Sequence, residues 1–171
     1  FTDSFEPGST FKPFIVAQGL EQGLVRFDTP IQTAPGRLAI GGATISDAHP
    51  HGLLSVAQVV QKSSNVGTAK IALDLSAKDM WSLFDRLGFG QPLRLGFPGE
   101  AGGRLRPWQR WRPIEQATMS YGHGISVTLI QLARAYLAFA RDGDLIPLSL
   151  TRLDAPPAAG APGGRKGRSM G

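Results

Sequence analysis

The sequence predicts a helix-dominated single domain carrying one β-hairpin and little other sheet. Apolar residues recur at helical spacing in several segments, and serines stand where those helices would begin. A stretch that alternates on both sides of Gly41-Gly42 reads as the hairpin. A chain of 171 residues, 42% hydrophobic and 18% charged, has material for one core and matches neither disordered nor membrane-spanning compositions.

In chain order, Pro7-Gly8 makes a turn and Ser9 caps or starts a helix running to about Leu20, ended by Gly23. RLAIGGATIS forms the hairpin. Ser55 caps a helix with an apolar face of Val56, Val59 and Val60, running to about Lys62. After the interruption Ser63-Ser64-Asn65, a second helix spans Val66 to about Leu73. Ser76 and Asp79 resemble a capping box for a helix through Leu87, terminated by Gly88. Residues 88–113 are rich in Gly and Pro and read mostly as loop. From Val127 to Arg141 the positions Leu129, Ile130, Ala133, Leu137 and Ala140 fit a buried helical stripe. Leu145 to Leu150 reads as a short strand, and the Pro/Gly/Ala-rich stretch after Asp154 as a disordered tail, residues 155–171.

Composition excludes several function classes. The absence of cysteine rules out disulfides, thiolate metal sites and cysteine nucleophiles. His49 and His51 flank a proline, which fits a turn and not the i, i+4 spacing of helical metal ligands. No apolar run approaches the roughly 20 residues needed to cross a bilayer, and the N-terminus lacks a signal-peptide pattern. The net charge of +5 owes three charges to Arg165, Lys166 and Arg168 in the tail. The body's basic cluster, GRLRPWQRWRP, alternates arginine and tryptophan as a single-strand-stacking surface does. The preferred reading is a surface segment whose tryptophans pack inward while its arginines stay solvated, with no nucleic-acid partner.

Two stretches carry possible chemistry. Ser9 and Lys12 in EPGSTFK share a helix face, so the amine can reach the hydroxyl. A serine attacks only once a base removes its proton, and a lysine serves as that base only when burial or a nearby cation lowers its pKa. The helix N-terminus also favours negative charge developing near Ser9. Alone, the pair is better explained by a helix cap beside a solvated lysine, because a serine three residues before a lysine is common. In QKSSNVGTAK, Ser63 and Asn65 can point into one cleft if the backbone is not helical there, whereas an Asn-containing turn bonding its own backbone is the plainer alternative. His123, in the flexible YGHG stretch, is read as a turn near the cleft edge, with Glu6 and Tyr121 as structural residues.

Together the two stretches resemble the signature of the penicillin-binding proteins, serine D,D-transpeptidases that share a fold with class A β-lactamases. Ser9-Thr10-Phe11-Lys12 matches S-x-x-K, and Ser63-Ser64-Asn65 matches S-D-N with serine in place of aspartate. EPGSTFKPF, TAPGRLAIGGATISDAH, QKSSNVGTAKIAL, GRLRPW and ATMSYGHGISVTLIQLARAYLAFARDG look like the class B, division-specific enzymes of Gram-negative bacteria. The resemblance implies the α/β penicillin-binding protein/β-lactamase-like transpeptidase fold, in truncated form. Residues 1–154 would be a partial transpeptidase domain, mainly its helical lobe. Ser9 would attack the D-Ala-D-Ala end of a peptidoglycan stem peptide, with Lys12 as base, Ser63 as proton relay and Asn65 as substrate ligand. The Ser9 backbone N–H would be half of the oxyanion hole. β-Lactams would acylate the same serine, and no metal or organic cofactor is implied. The full-length enzyme would work at the periplasmic face of the inner membrane with membrane proteins of the division complex.

The sequence departs from the family pattern in one respect that bears on activity. The third motif, Lys-Thr-Gly or Lys-Ser-Gly, occurs nowhere in the 171 residues. In the family that strand supplies the second oxyanion donor and binds the substrate carboxylate, and losing one such donor costs about 10²- to 10³-fold in rate. The expectation is therefore a fragment with weak or no activity of its own. A β-lactamase or β-lactam-sensor domain, and a non-catalytic module that binds division partners, are the alternative readings.

Overall fold

The computed structural model describes residues 3–91 and 102–141. The strand expected at Leu145–Leu150, the boundary at Asp154 and the tail lie outside these residues.

A helix in which nearly every face is apolar has to be central, and FKPFIVAQGL makes such a helix. α1 (Lys12–Glu21) follows a 3-10 turn at Gly8–Phe11. Phe11, Phe14, Ile15 and Val16 have no exposed surface. Pro13 sits in the first turn of α1, where its missing N–H leaves no helical bond unmade. Around α1 pack α2 (Val56–Gln61), α3 (Asn65–Asp74) and α4 (Ala77–Arg86). Phe11 and Phe14 meet Phe84 and Phe89 at ring-centroid distances of 4.9 to 6.1 Å, the range of favourable aromatic pairs.

The caps expected at Ser55 and Ser76 are present. Ser55 and Gln58 form a reciprocal capping box on α2. The Ser76 hydroxyl accepts from the Asp79 N–H at 3.0 Å, but Asp79 does not reciprocate, because its carboxylate accepts from Gln22 instead. Gly88, at φ 93°, follows the last turn of α4.

Among the described residues the strands are short and paired in twos, all antiparallel. β1 (Ser4–Phe5) pairs with β6 (Val127–Thr128), and β2 (Pro30–Gln32) with β5 (Leu53–Ser55). The expected hairpin is β3 (Arg37–Ile40) and β4 (Ala43–Ser46), with Gly41 and Gly42 both at positive φ in its turn. The hairpin covers a second apolar cluster of Ile45, Val66, Ala69, Ala117 and Tyr121, beneath which α3 meets α5 (Pro113–Met119). In the basic segment Trp108 and Trp111 are half-buried while Arg104, Arg110 and Arg112 are exposed, as expected. Arg106 departs from that expectation: it is half-buried and pairs with Glu115, and the Trp111 indole donates to its carbonyl at 3.0 Å.

The last helix corrects the sequence reading. Val127 and Thr128 are strand, and α6 spans Leu129–Arg141. Of the expected buried stripe, Leu129 is 65% and Leu137 64% exposed, Ala133 is exposed, and Ile130 and Ala140 are only half-buried. The core-facing residues are instead Gln131, Leu132, Ala135, Tyr136 and Phe139. LIQLARAYLAFAR carries apolar residues on two faces, so periodicity alone cannot choose between them. Packing of Tyr136 and Phe139 against Phe14, at 4.7 and 5.3 Å, decides it.

Candidate active site

Ser9 does not cap a helix. It lies inside the 3-10 turn, and neither that turn nor α1 has a side-chain cap. The hydroxyl is exposed and one turn from Lys12, whose Nζ approaches Ser9 Oγ at 3.3 Å. The dipole of α1 points its positive end at this turn.

Lys12 is 2% exposed, flanked by the fully buried Phe11 and Phe14 side of α1. Its Nζ also lies 2.7 Å from both the carbonyl and the hydroxyl oxygen of Ser63. Burial pulls its pKa from 10.5 down to about 8, against a smaller opposing pull from the negative charge of Asp47. The neutral form is therefore far more accessible near neutral pH than for a solvated lysine. The Lys12 amine donates to the Ser63 carbonyl and hydroxyl at 2.7 Å and to Ser9 Oγ at 3.3 Å; once neutral, it has a lone pair that can accept the Ser9 proton.

The turn that carries Ser63 has an identifiable cause. α2 ends at Gln61, and the middle serine, Ser64, caps α3: its hydroxyl accepts from the Gly67 N–H at 2.9 Å and donates to Asp47 at 2.7 Å. The other Asp47 oxygen accepts from the Val66 N–H at 3.0 Å. This anchoring forces Ser63 to φ 55°, left-handed backbone that costs a non-glycine residue about 1–2 kcal/mol. The result is a non-helical break that points Ser63 at Lys12.

The structure thus brings Ser9, Lys12 and Ser63 into one hydrogen-bonded cluster. Asn65 stands apart from it, at the first position of α3, with its side-chain amide donating to the Ser46 carbonyl at 3.1 Å. His123 is exposed and stacks edgewise on Tyr121 at 5.2 Å, hydrogen-bonding through its backbone to Thr118. Tyr121 is buried under the hairpin, which agrees with a structural role. Sequence reasoning missed Asp47. It bonds to residues 17 and 19 positions later, and no local pattern in ISDAH signals that. His49 and His51 lie in the connection between β4 and β5, and no group of His, Asp or Glu among the described residues is arranged to hold a metal.

A buried lysine within reach of two serine hydroxyls is an arrangement that can activate a serine as a nucleophile. Comparison with known proteins names the family. The description "Penicillin binding protein transpeptidase domain" matches residues 1–162. The chain belongs to this family, and its fold is a helix-rich part of the penicillin-binding protein transpeptidase fold. It is 46% identical over 151 residues to the probable peptidoglycan D,D-transpeptidase PenA of Neisseria gonorrhoeae, covering 88% of this chain and 26% of that protein. Against the peptidoglycan D,D-transpeptidase FtsI of Escherichia coli K12 it is 43% identical over 155 residues, covering 91% and 26%. The chain thus spans about a quarter of the length of the curated relatives it matches. Among solved structures, the transpeptidase domain of Burkholderia pseudomallei penicillin-binding protein 3 is 52% identical with a TM-score of 0.80, over 86% of this chain and 44% of that one. A Burkholderia ambifaria structure described as a peptidoglycan glycosyltransferase gives 51% and 0.81, over 86% and 46%.

Proposed function

We propose that this chain carries the acylation half of a peptidoglycan D,D-transpeptidase, with Ser9 as nucleophile, Lys12 as base, Ser63 as proton relay and Asn65 as a ligand for the substrate amide. The observation that carries this is the Lys12 amine, buried, lowered to about 8, and within reach of both hydroxyls. Neutral Lys12 takes the Ser9 proton as Ser9 Oγ bonds to the carbonyl carbon of the penultimate D-alanine. The oxyanion is met by the Ser9 backbone N–H and the α1 dipole. The C–N bond then breaks. The proton passes from Lys12 through the Ser63 hydroxyl to the departing D-alanine amine, leaving an acyl ester on Ser9. An amine of a neighbouring stem peptide attacks that ester, completes the cross-link and returns the serine.

β-Lactams present the same carbonyl in a strained ring, so they would acylate Ser9 and stay attached. The reaction belongs where peptidoglycan is built, at the periplasmic face of the inner membrane, among the membrane proteins of cell division. Among the described residues no helix is long and apolar enough to cross a membrane. Since no Lys-Thr-Gly is present in the sequence, acylation by this chain alone is expected to be slow.

Labelling with a fluorescent penicillin, followed by intact mass, tests the assignment. A slow adduct that disappears in Ser9→Ala is expected. No adduct on the wild-type chain sinks the assignment, and rapid release of hydrolysed penicillin would mark a β-lactamase instead. An adduct forming as fast as in the intact B. pseudomallei domain would overturn the expectation of weak activity.

A further inference from the structure

Ser9 and Ser63 sit on separate elements, and their chemistry needs the two registered to within about 0.5 Å. Lys12 bridges them, yet a flexible side chain is a poor strut. The loop between α5 and β6, Tyr121–Gly124, supplies a more rigid link. At one end its Tyr121 ring is buried with Val66 and Ala69 of α3, the helix that follows Ser63. At the other it docks on the nucleophile turn, backbone against backbone. The Gly8 N–H donates to the Gly122 carbonyl at 3.2 Å, and the Gly124 N–H donates to the Glu6 carboxylate at 3.0 Å.

The docking tolerates no side chain. Gly122 has φ +78°, and a Cβ there would lie 2.3 Å from both Gly8 N and Gly8 O. The loop is closed on α5 by bonds from Gly122 N to Met119 O at 3.0 Å and from His123 N to Thr118 O at 3.1 Å, so it cannot easily retreat. On the opposite side of the same turn, the Tyr136 hydroxyl donates to the Thr10 carbonyl and the Thr10 hydroxyl to the Pro7 carbonyl. The residues before and after Ser9 are thus pinned from both sides, while Ser9 itself is exposed.

We propose that Gly122 and Glu6 are positioning residues: together they clamp the Tyr121–Gly124 loop onto Gly8 and thereby hold the Ser9 hydroxyl in line with Lys12. The role rests on the acyl-transfer reading given above. Neither residue touches the reacting atoms, so the signature is a fall in the acylation rate constant with little change in non-covalent binding. The pH midpoint should stay where Lys12 places it, because the base is untouched.

The experiment uses the full chain and a fluorescent penicillin, with rates measured against penicillin concentration to separate binding from acylation. Amide hydrogen exchange at Gly8 and Gly124 is read on the same samples. In Gly122→Ala the acylation constant is expected to fall about 100-fold, as it does for misplacements of about 1 Å. In Glu6→Ala, an exposed site that leaves the core intact, it is expected to fall about tenfold, with fast exchange at Gly124. Glu6→Gln, whose amide oxygen still accepts from Gly124, should restore both the rate and the slow exchange. Acylation at the wild-type rate in Gly122→Ala or Glu6→Ala, or a fall that Glu6→Gln does not restore, overturns the positioning role alone. A wild-type chain that takes no label overturns the acyl-transfer reading, and the positioning role with it.

Discussion

At the scale of single residues, the site is governed by where one amine is placed. Lys12 is kept from water by the aromatic side of α1, and that burial outweighs the attraction of Asp47. The sign of the pH dependence follows directly. In the proposed mechanism the neutral amine is the reactive form, so the acylation rate should rise as pH increases through about 8 and level off above it. A stopped-flow pH profile that is flat between pH 6 and 9 would count against Lys12 as the base (the two limits are roughly two units below and one above its pKa). Asp47 acts on the other wall. Asp47→Ala strips partners from the Ser64 hydroxyl and the Val66 N–H, each costing about 1–3 kcal/mol when left buried and unmade. It should also release the left-handed turn at Ser63, so denaturant unfolding and penicillin labelling should fall together. The serine–lysine pair was legible from its spacing in the sequence. Asp47 was not, because its partners are brought to it only when the hairpin folds over α3.

At the scale of elements, α2 and α3 meet so closely that a glycine is required between them. A Cβ on Gly67 would lie 2.6 and 2.9 Å from the Val59 methyls and 3.2 Å from the Ser64 hydroxyl. Gly67→Ala should therefore destabilise the chain by about 1–3 kcal/mol in a thermal or urea melt, despite the better helix propensity of alanine. α6 gives the contrasting case. Its sequence satisfies a helical period on two faces, and the face chosen by periodicity is the one left toward solvent. Leu137→Ala, at 64% exposure, should shift stability by no more than about 0.5 kcal/mol. Phe14→Ala, fully buried beneath α6, should cost about 3–5 kcal/mol. Equal losses for the two substitutions would contradict the orientation of α6. Gln131 adds a polar anchor here: it caps the helix reciprocally with Thr128 and donates to the carbonyls of Gln91 and Gly102.

At the scale of the whole molecule, one central helix organises everything that matters for chemistry. Its first turn carries Lys12, the 3-10 turn before it carries Ser9, and the break between α2 and α3 carries Ser63, the three residues proposed as base, nucleophile and relay. The strands are peripheral and short, and among the described residues they pair only in twos. Much of this was readable beforehand. The helix starts at Ser55 and Ser76, the hairpin turn at Gly41-Gly42, and the S-x-x-K and S-x-N spacings are local patterns, written within a few residues of one another. By itself, then, the sequence determined which short segments become helix or hairpin, and which serine and lysine could pair. Only the tertiary structure decided which face of α6 is buried, that Asp47 anchors the turn at Ser63, and that Gly122 lies against Gly8. Those outcomes depend on atoms far apart in the chain, whose contact becomes favourable only after packing around α1 has brought them together.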